Sequence, residues 1–457
     1  MRRLLPAIVL AISLLWLAVP SLPAPALPEA AGWLQQYVRI DTSNPPGNEQ
    51  RTADFLAGLL RKEGIASQVV KTPEGRANLW ARLAAPASGG RAVLLLHHMD
   101  VVPAGPGWSA SPFAGEIRDG YLWGRGTLDD KSLGIVQLAA LLDLKRRRVP
   151  LARDVVFLAV ADEENGGLRG TAWLLAQHPE LFRGVEAVIG EGGRSQTGAG
   201  GKLLWWGIEV SQKRPLWLEV STSGRGGHGA GLNPASASHQ LIQGLARLLG
   251  APPRFHVSPP VRDYSRAIAP LQNPHWRRVF GNIDAVIAEG GPKEFLLPGM
   301  ANLFLDTVQV TVLRGGERIN VIPETATARI DIRLLPDTDA VAFLKDVRRL
   351  LGPGFAVKVL VTSPPSPPSP ASGRLYSAME RALKREGPVV PTFIAGFTDS
   401  RFFRERGIAA YGLSPFLLGP EDTQGIHGTN ERISLRELDR GVVRMRQILS
   451  FYVSAAQ

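Results

Sequence analysis

The sequence predicts an α/β protein, a sheet covered by helices on both faces, with a smaller α+β unit inserted into it. Three observations lead there. Between residues 30 and 210, short apolar runs such as AVLLL (92–96), VVFLAV (155–160) and AVI (187–189) alternate with helical stretches such as 133–145. Continuous apolar runs of that length read as strands buried on both faces. After residue 213 the pattern changes: PLWLEVSTSG (215–224) and TATARIDIRLLP (325–336) alternate apolar with polar residues, as strands with one wet face do. Beyond 374 the first pattern returns.

The elements follow in chain order. Two arginines, an apolar stretch broken by proline and APA at 24–26 make residues 1–26 a secretory signal peptide. The apolar stretch is short for a bilayer span, and an uncleaved membrane anchor is the alternative. Either way the working domain is expected outside the cytoplasm, secreted or periplasmic. Residues 30–212 form the first part of the larger α/β domain. Residues 213–362, with helices at 235–249 and 340–351, form the inserted unit. TSPPSPPSPASG supplies a stiff linker over 363–373. Residues 374–457, with helices near 374–386 and 434–453, complete the first domain. At 457 residues the chain exceeds one ordinary core. The Pro- and Gly-rich region 252–300 has weak periodicity and no assignment.

Composition narrows the chemistry. The net charge is +11, yet the basic residues are dispersed, with KRRR (145–148) the one dense run. That run ends a predicted helix, where cations suit the dipole, so no nucleic-acid partner is expected. The excess fits attraction of anionic substrates or of an anionic membrane surface. There is no cysteine, so disulfides and thiolates are excluded and any metal must be held by His, Asp or Glu.

Those residue types collect where strands end. AVLLLHHMD ends in His97, His98 and Asp100; VVFLAVADEE ends in Asp162, Glu163 and Glu164; AVIGEGG ends in Glu191. Ligands of open α/β sheets bind beyond the carboxyl ends of the strands. YLWGRGTLDDKSLG adds Asp129 and Asp130 before a helix, and GIHGTNERI places His427 between glycines. Nitrogen and oxygen donors without sulfur suit zinc, cobalt or manganese. The paired glutamates let one bind metal while the other takes a proton. Asp162 has no chemical task and reads as a solvated turn residue.

These ordered motifs resemble the di-zinc metallopeptidases that include carboxypeptidase S, Gly-Xaa carboxypeptidase, the glutamate carboxypeptidases, aminoacylase-1 and succinyl-diaminopimelate desuccinylase. The likeness runs from about residue 33 to 453. HHMDVVP, WSASPFAGEIRDGYLWGRGTLDDK and INVIPETATARIDIR look nearest to the carboxypeptidase S branch. The resemblance implies a zinc-dependent exopeptidase-like catalytic domain with a central mixed sheet, and an inserted lid that also mediates homodimerisation. It implies two Zn2+ per subunit, with Co2+ or Mn2+ as substitutes. His98 and Glu191 would hold the first ion and Glu164 and His427 the second, with Asp129 bridging. Asp100 would orient His98, and Glu163 would be the general base. His228 of SGRGGHGA would stabilise the tetrahedral intermediate, while Asn320 and Arg333 would recognise the substrate's carboxylate. GFTDSR (396–401) matches a loop near the substrate, with no secure role for Asp399 or Arg401. The expected activity is carboxypeptidase-type hydrolysis of the amide bond to an amino acid with a free carboxylate. Its alternatives are an N-acyl amino-acid deacylase and, more remotely, a non-catalytic periplasmic peptide-binding protein.

Overall fold

A computed structural model describes residues 27–86, 89–290 and 300–454; the expected signal peptide lies outside the described residues. The central sheet runs Ser67–Lys71, Ala77–Leu83, Asp154–Val160, Ala92–His98, Val185–Gly190, Ala409–Gly412, Leu203–Gln212, Val389–Ile394, with Ser195–Thr197 paired to Leu203–Gln212. It is mixed: Ala92–His98 lies parallel to both Asp154–Val160 and Val185–Gly190, whereas Ala77–Leu83 runs antiparallel to Asp154–Val160.

Alternation explains why these runs are apolar throughout. Val93, Leu95, Val155 and Phe157 face one core, closed by the helices Lys131–Arg146 and Leu435–Val453. Leu94, Leu96, Val156 and Leu158 face another, closed by Thr171–Gln177 and Ser400–Arg404. Successive side chains of a strand point to opposite faces, so both sets must be apolar. Each buried Leu or Val contributes roughly 1.5–3 kcal/mol.

A second, four-stranded antiparallel sheet has the order Thr307–Arg314, Thr325–Leu334, Arg214–Ser223, Phe355–Thr362. Leu218, Val220, Ala328 and Ile330 pack beneath the helices Ala237–Leu249 and Ala340–Leu351. Asp339 caps the second of these by accepting from the amides of Val341 and Ala342. The other face is wet, and carries the exposed Glu219–Arg329 pair.

Among its described residues, the region 252–300 contains the short helices Pro259–Ile268, Pro274–Gly281 and Ile283–Ala288. Val261, Phe280 and Ile283 pack with Trp205, Val390 and Phe393 at the far edge of the central sheet. The Pro/Ser stretch is pinned to that sheet: Ser369 donates to the Val210 and Ala410 carbonyls through its amide and hydroxyl. Among the described residues, no helix is long and apolar enough to cross a membrane.

Candidate metal centre

Three parallel strands end at one edge, and each delivers acids or imidazole there. His98 is the last residue of its strand and lies opposite Val160, two residues before Asp162. Glu191 directly follows Val185–Gly190. His97 points the other way, into the core, where Tyr37 Oη lies 3.2 Å from its Nε2. Gly134 makes room for that ring, since a Cβ there would meet it at 2.3 Å. Strand alternation thus separates the two histidines.

His98 Nε2 lies 2.9 Å from Asp129 Oδ1 and 3.8 Å from Glu191 Oε1. His427 Nε2 lies 3.2 Å from Asp129 Oδ2 and 3.1 Å from Glu164 Oε2. Asp129 therefore stands between the two imidazoles, one oxygen toward each. Two trios could each hold an ion: His98, Asp129 and Glu164, and His98, Asp130 and Glu191, with donor atoms within 4.8 Å of one another. Asp130 had no expected role. The Asp129–Asp130 peptide is cis. His427 has φ 57°, a left-handed conformation that non-glycine residues rarely adopt and that clusters at functional sites.

The electrostatics call for cations. Burial pushes the carboxyls of Glu163 and Glu191 well above the usual carboxylate range. Burial would lift Asp129 as well, but hydrogen bonds from His427 and His98 outweigh it and hold Asp129 low. Hydrogen bonds to Asp129 and Glu164 carry His427 up to about 10. Glu163 Oε1, Glu164 Oε1 and Asp130 Oδ2 are buried without a hydrogen-bond partner. Buried polar atoms are ordinarily satisfied, and unpaired buried charge is costly. A nitrogen- and oxygen-rich cluster with orphaned carboxylate oxygens fits divalent metal.

A shell of polar side chains holds these groups. Asp100 Oδ1 accepts from the Glu163 amide (3.1 Å) and Oδ2 from the Glu164 amide (3.2 Å), while its carbonyl lies 2.8 Å from His98 Nδ1. Asn44 Nδ2 donates to Asp100 (2.7 Å) and Asp162 (3.3 Å). Arg76 pairs with Asp162 (3.0 Å) and Glu49. Asp162 is therefore not a solvated turn residue. It is fully buried with φ 72°, and also accepts from the Arg169 amide, which fixes the turn that aims Glu163 and Glu164. On the opposite side, buried Glu431 accepts from the amides of Gly126, Leu128 and Asp129 and from Arg125. One loop thus carries His427 and also clamps the segment bearing Asp129.

The remaining expected residues lie elsewhere. His228 and Asn320 meet on an exposed ribbon, where Gly227–His228 pairs with Val321–Ile322 and the Gly229 amide donates to the Asn320 carbonyl. Among the described residues, neither forms a hydrogen bond or ion pair with the carboxylate cluster. Arg333 binds Asp331 through two nitrogens, at 2.7 and 2.9 Å, and stacks 4.3 Å over Phe397. Asp399 accepts from Thr171, and buried Arg401 donates to the Gly166 and Thr398 carbonyls. Those bonds brace the 396–401 loop against the Glu163 turn.

A sheet edge that sets Asp129 between His98 and His427, with Glu164 and Glu191 beside them, fits a metal-dependent hydrolase. The chain belongs to the peptidase family M20/M25/M40, whose model matches residues 94–450. Aminoacylase-1 of Mus musculus is 28% identical over 430 residues, covering 92% of this chain and 94% of its own. The N-fatty-acyl-amino acid synthase/hydrolase PM20D1 of Xenopus tropicalis is 29% identical over 383 residues, covering 80% and 72%. The solved M20 metallo-carboxypeptidase Sso-CP2 from Sulfolobus solfataricus shares the fold, with TM-score 0.69 at 19% identity, over 93% of this chain and 99% of that one.

Proposed function

We propose that the chain hydrolyses the amide bond joining an acyl or peptidyl group to an amino acid with a free carboxylate, using two zinc ions. The observation that carries this reading is Asp129 set between His98 and His427, beside a Glu163 oxygen without a partner. His98, Glu191 and Asp129 would hold one ion, and Asp129, Glu164 and His427 the other. Zinc bound there supplies Lewis-acid polarisation and water activation. Glu163 Oε1 takes a proton from the attacking water and passes it to the departing amine nitrogen. Asp100 keeps His98 oriented and the Glu163 turn in place. His228 and Asn320, on their exposed ribbon, serve the oxyanion and substrate carboxylate when the lid closes or pairs with a second copy. Arg333 must exchange Asp331 for the substrate's carboxylate to take part.

Peptides are the first reading. N-acyl amino acids are the second, favoured by the likeness to the N-fatty-acyl-amino acid synthase/hydrolase of Xenopus tropicalis. Residues 1–26 direct the enzyme out of the cytoplasm. Dipeptides and N-acetyl and N-lauroyl amino acids, assayed with metal-depleted and zinc-restored enzyme, test the proposal. Zinc-dependent release of the amino acid is expected; binding without turnover would overturn it.

A further inference from the structure

The segments that carry Glu191 and His427 also contribute to a cavity of about 340 Å³. Gly192 and Arg194, the first and third residues after Glu191, line one wall, and Leu418–Pro420, ahead of His427, line another. Trp205, Tyr264 and Phe393 supply aromatic surface.

Its polar groups are unevenly spent. Ser195 and Thr197 donate to the carbonyls of Phe416 and Leu418, and Thr423 to that of Pro420. Arg194, Thr392 and Tyr264 are among the donors that remain. Arg194 forms no ion pair among the described residues and is the one charged side chain in the lining. Thr392 Oγ1 is buried without a hydrogen-bond partner. The Tyr264 hydroxyl makes no hydrogen bond among the described residues, and burial lifts its pKa to about 12, so it stays protonated. A guanidinium and two hydroxyls with no acid among them suit a carboxylate, which accepts several charge-assisted hydrogen bonds. The aromatic walls suit the carbon chain that carries it.

We infer that this cavity is the acyl-side subsite and favours an acyl group bearing its own carboxylate a few carbons beyond the scissile carbonyl. The inference rests on the amide-hydrolase reading above. Two sources share that chemistry: a dicarboxylic acyl group, as in N-glutaryl-alanine, and an acidic penultimate residue, as in Glu-Ala. They differ only in the α-amino group, and N-pentanoyl-alanine and norvalyl-alanine are their counterparts with an uncharged acyl side chain.

The test measures kcat/KM for all four substrates in the wild type, Arg194→Gln and Thr392→Val, with calorimetric binding of glutarate to each protein. Arg194 is exposed, so Arg194→Gln is expected to fold. It should lower kcat/KM for the charged substrates by about tenfold to a hundredfold, the range of one charge-assisted hydrogen bond. The uncharged substrates should stay within about twofold, and glutarate binding should weaken in parallel. Thr392→Val should act in the same direction, less strongly. A larger effect on Glu-Ala or on N-glutaryl-alanine identifies the source. Equal losses on charged and uncharged substrates, or none, would overturn the subsite. Failure of the wild type to hydrolyse any of the four would overturn the amide-hydrolase reading instead, and glutarate binding that ignores Arg194 would still reject the subsite.

Discussion

Replacing Arg76 by alanine tests whether the shell behind the metal centre is structural. Arg76 is nearly buried, and its guanidinium serves Glu49, 1% exposed, and Asp162, fully buried. Asp162 keeps Asn44 and the Arg169 amide as donors when Arg76 is removed. Glu49 keeps no side-chain donor. Burial already raises the Glu49 carboxyl above its ordinary value, and Arg76's hydrogen bond and charge oppose that rise; without Arg76 it rises further. Breaking a buried pair in this way costs about 3–5 kcal/mol. Arg76→Lys, which keeps a charge but not the fork, should cost less, roughly 1–2 kcal/mol. Urea unfolding at pH 7 measures both. The sign of the pH dependence follows. A carboxyl with a raised folded pKa makes the native state bind more protons than the unfolded one, so the Arg76→Ala deficit is complete above that folded pKa and shrinks as pH falls through it toward the unfolded value. A loss below about 1 kcal/mol at pH 7, well under the buried-pair range, would refute the reasoning.

Two further predictions concern other buried charges. Glu431→Gln removes the charge that clamps Gly126, Leu128 and Asp129, and should weaken metal binding by roughly 10- to 100-fold, as outer ligand partners do, read by competition with a chelator; unchanged affinity would count against the clamp. Lys213 is fully buried with no partner for Nζ, and burial holds its amine down to about 8. Lys213→Met should therefore stabilise the protein by about 2–3 kcal/mol below pH 8. The gain should fade toward about pH 10.5, because the unfolded wild type keeps its proton over that window and wild-type stability rises there; no gain at pH 7 would show that the charge is solvated.

What the sequence made legible was what periodicity and residue type carry. The helices expected at 133–145, 340–351 and 434–453 appear as Lys131–Arg146, Ala340–Leu351 and Leu435–Val453. The acids after 160 and 190 stood out because they interrupt apolar runs. The supporting shell did not, since Asn44, Arg76 and Glu431 sit in polar stretches and act on residues distant in sequence: Arg76 on Asp162 and Glu431 on Asp129. The burial of Asp162 is hidden in the sequence for the same reason, its donors coming from residues 44, 76 and 169. The helices of 259–288 are too short, and too interrupted by proline and glycine, for a periodic signal to accumulate.

The central claim is that one carboxylate moves protons at a metal centre held by others. Glu163→Gln, analysed for metal content and turnover on the same preparation, tests it most directly. The account predicts two metal ions per chain, as in the wild type, with kcat lowered by at least about 10²–10⁴-fold. A variant that keeps both ions and full activity would contradict it.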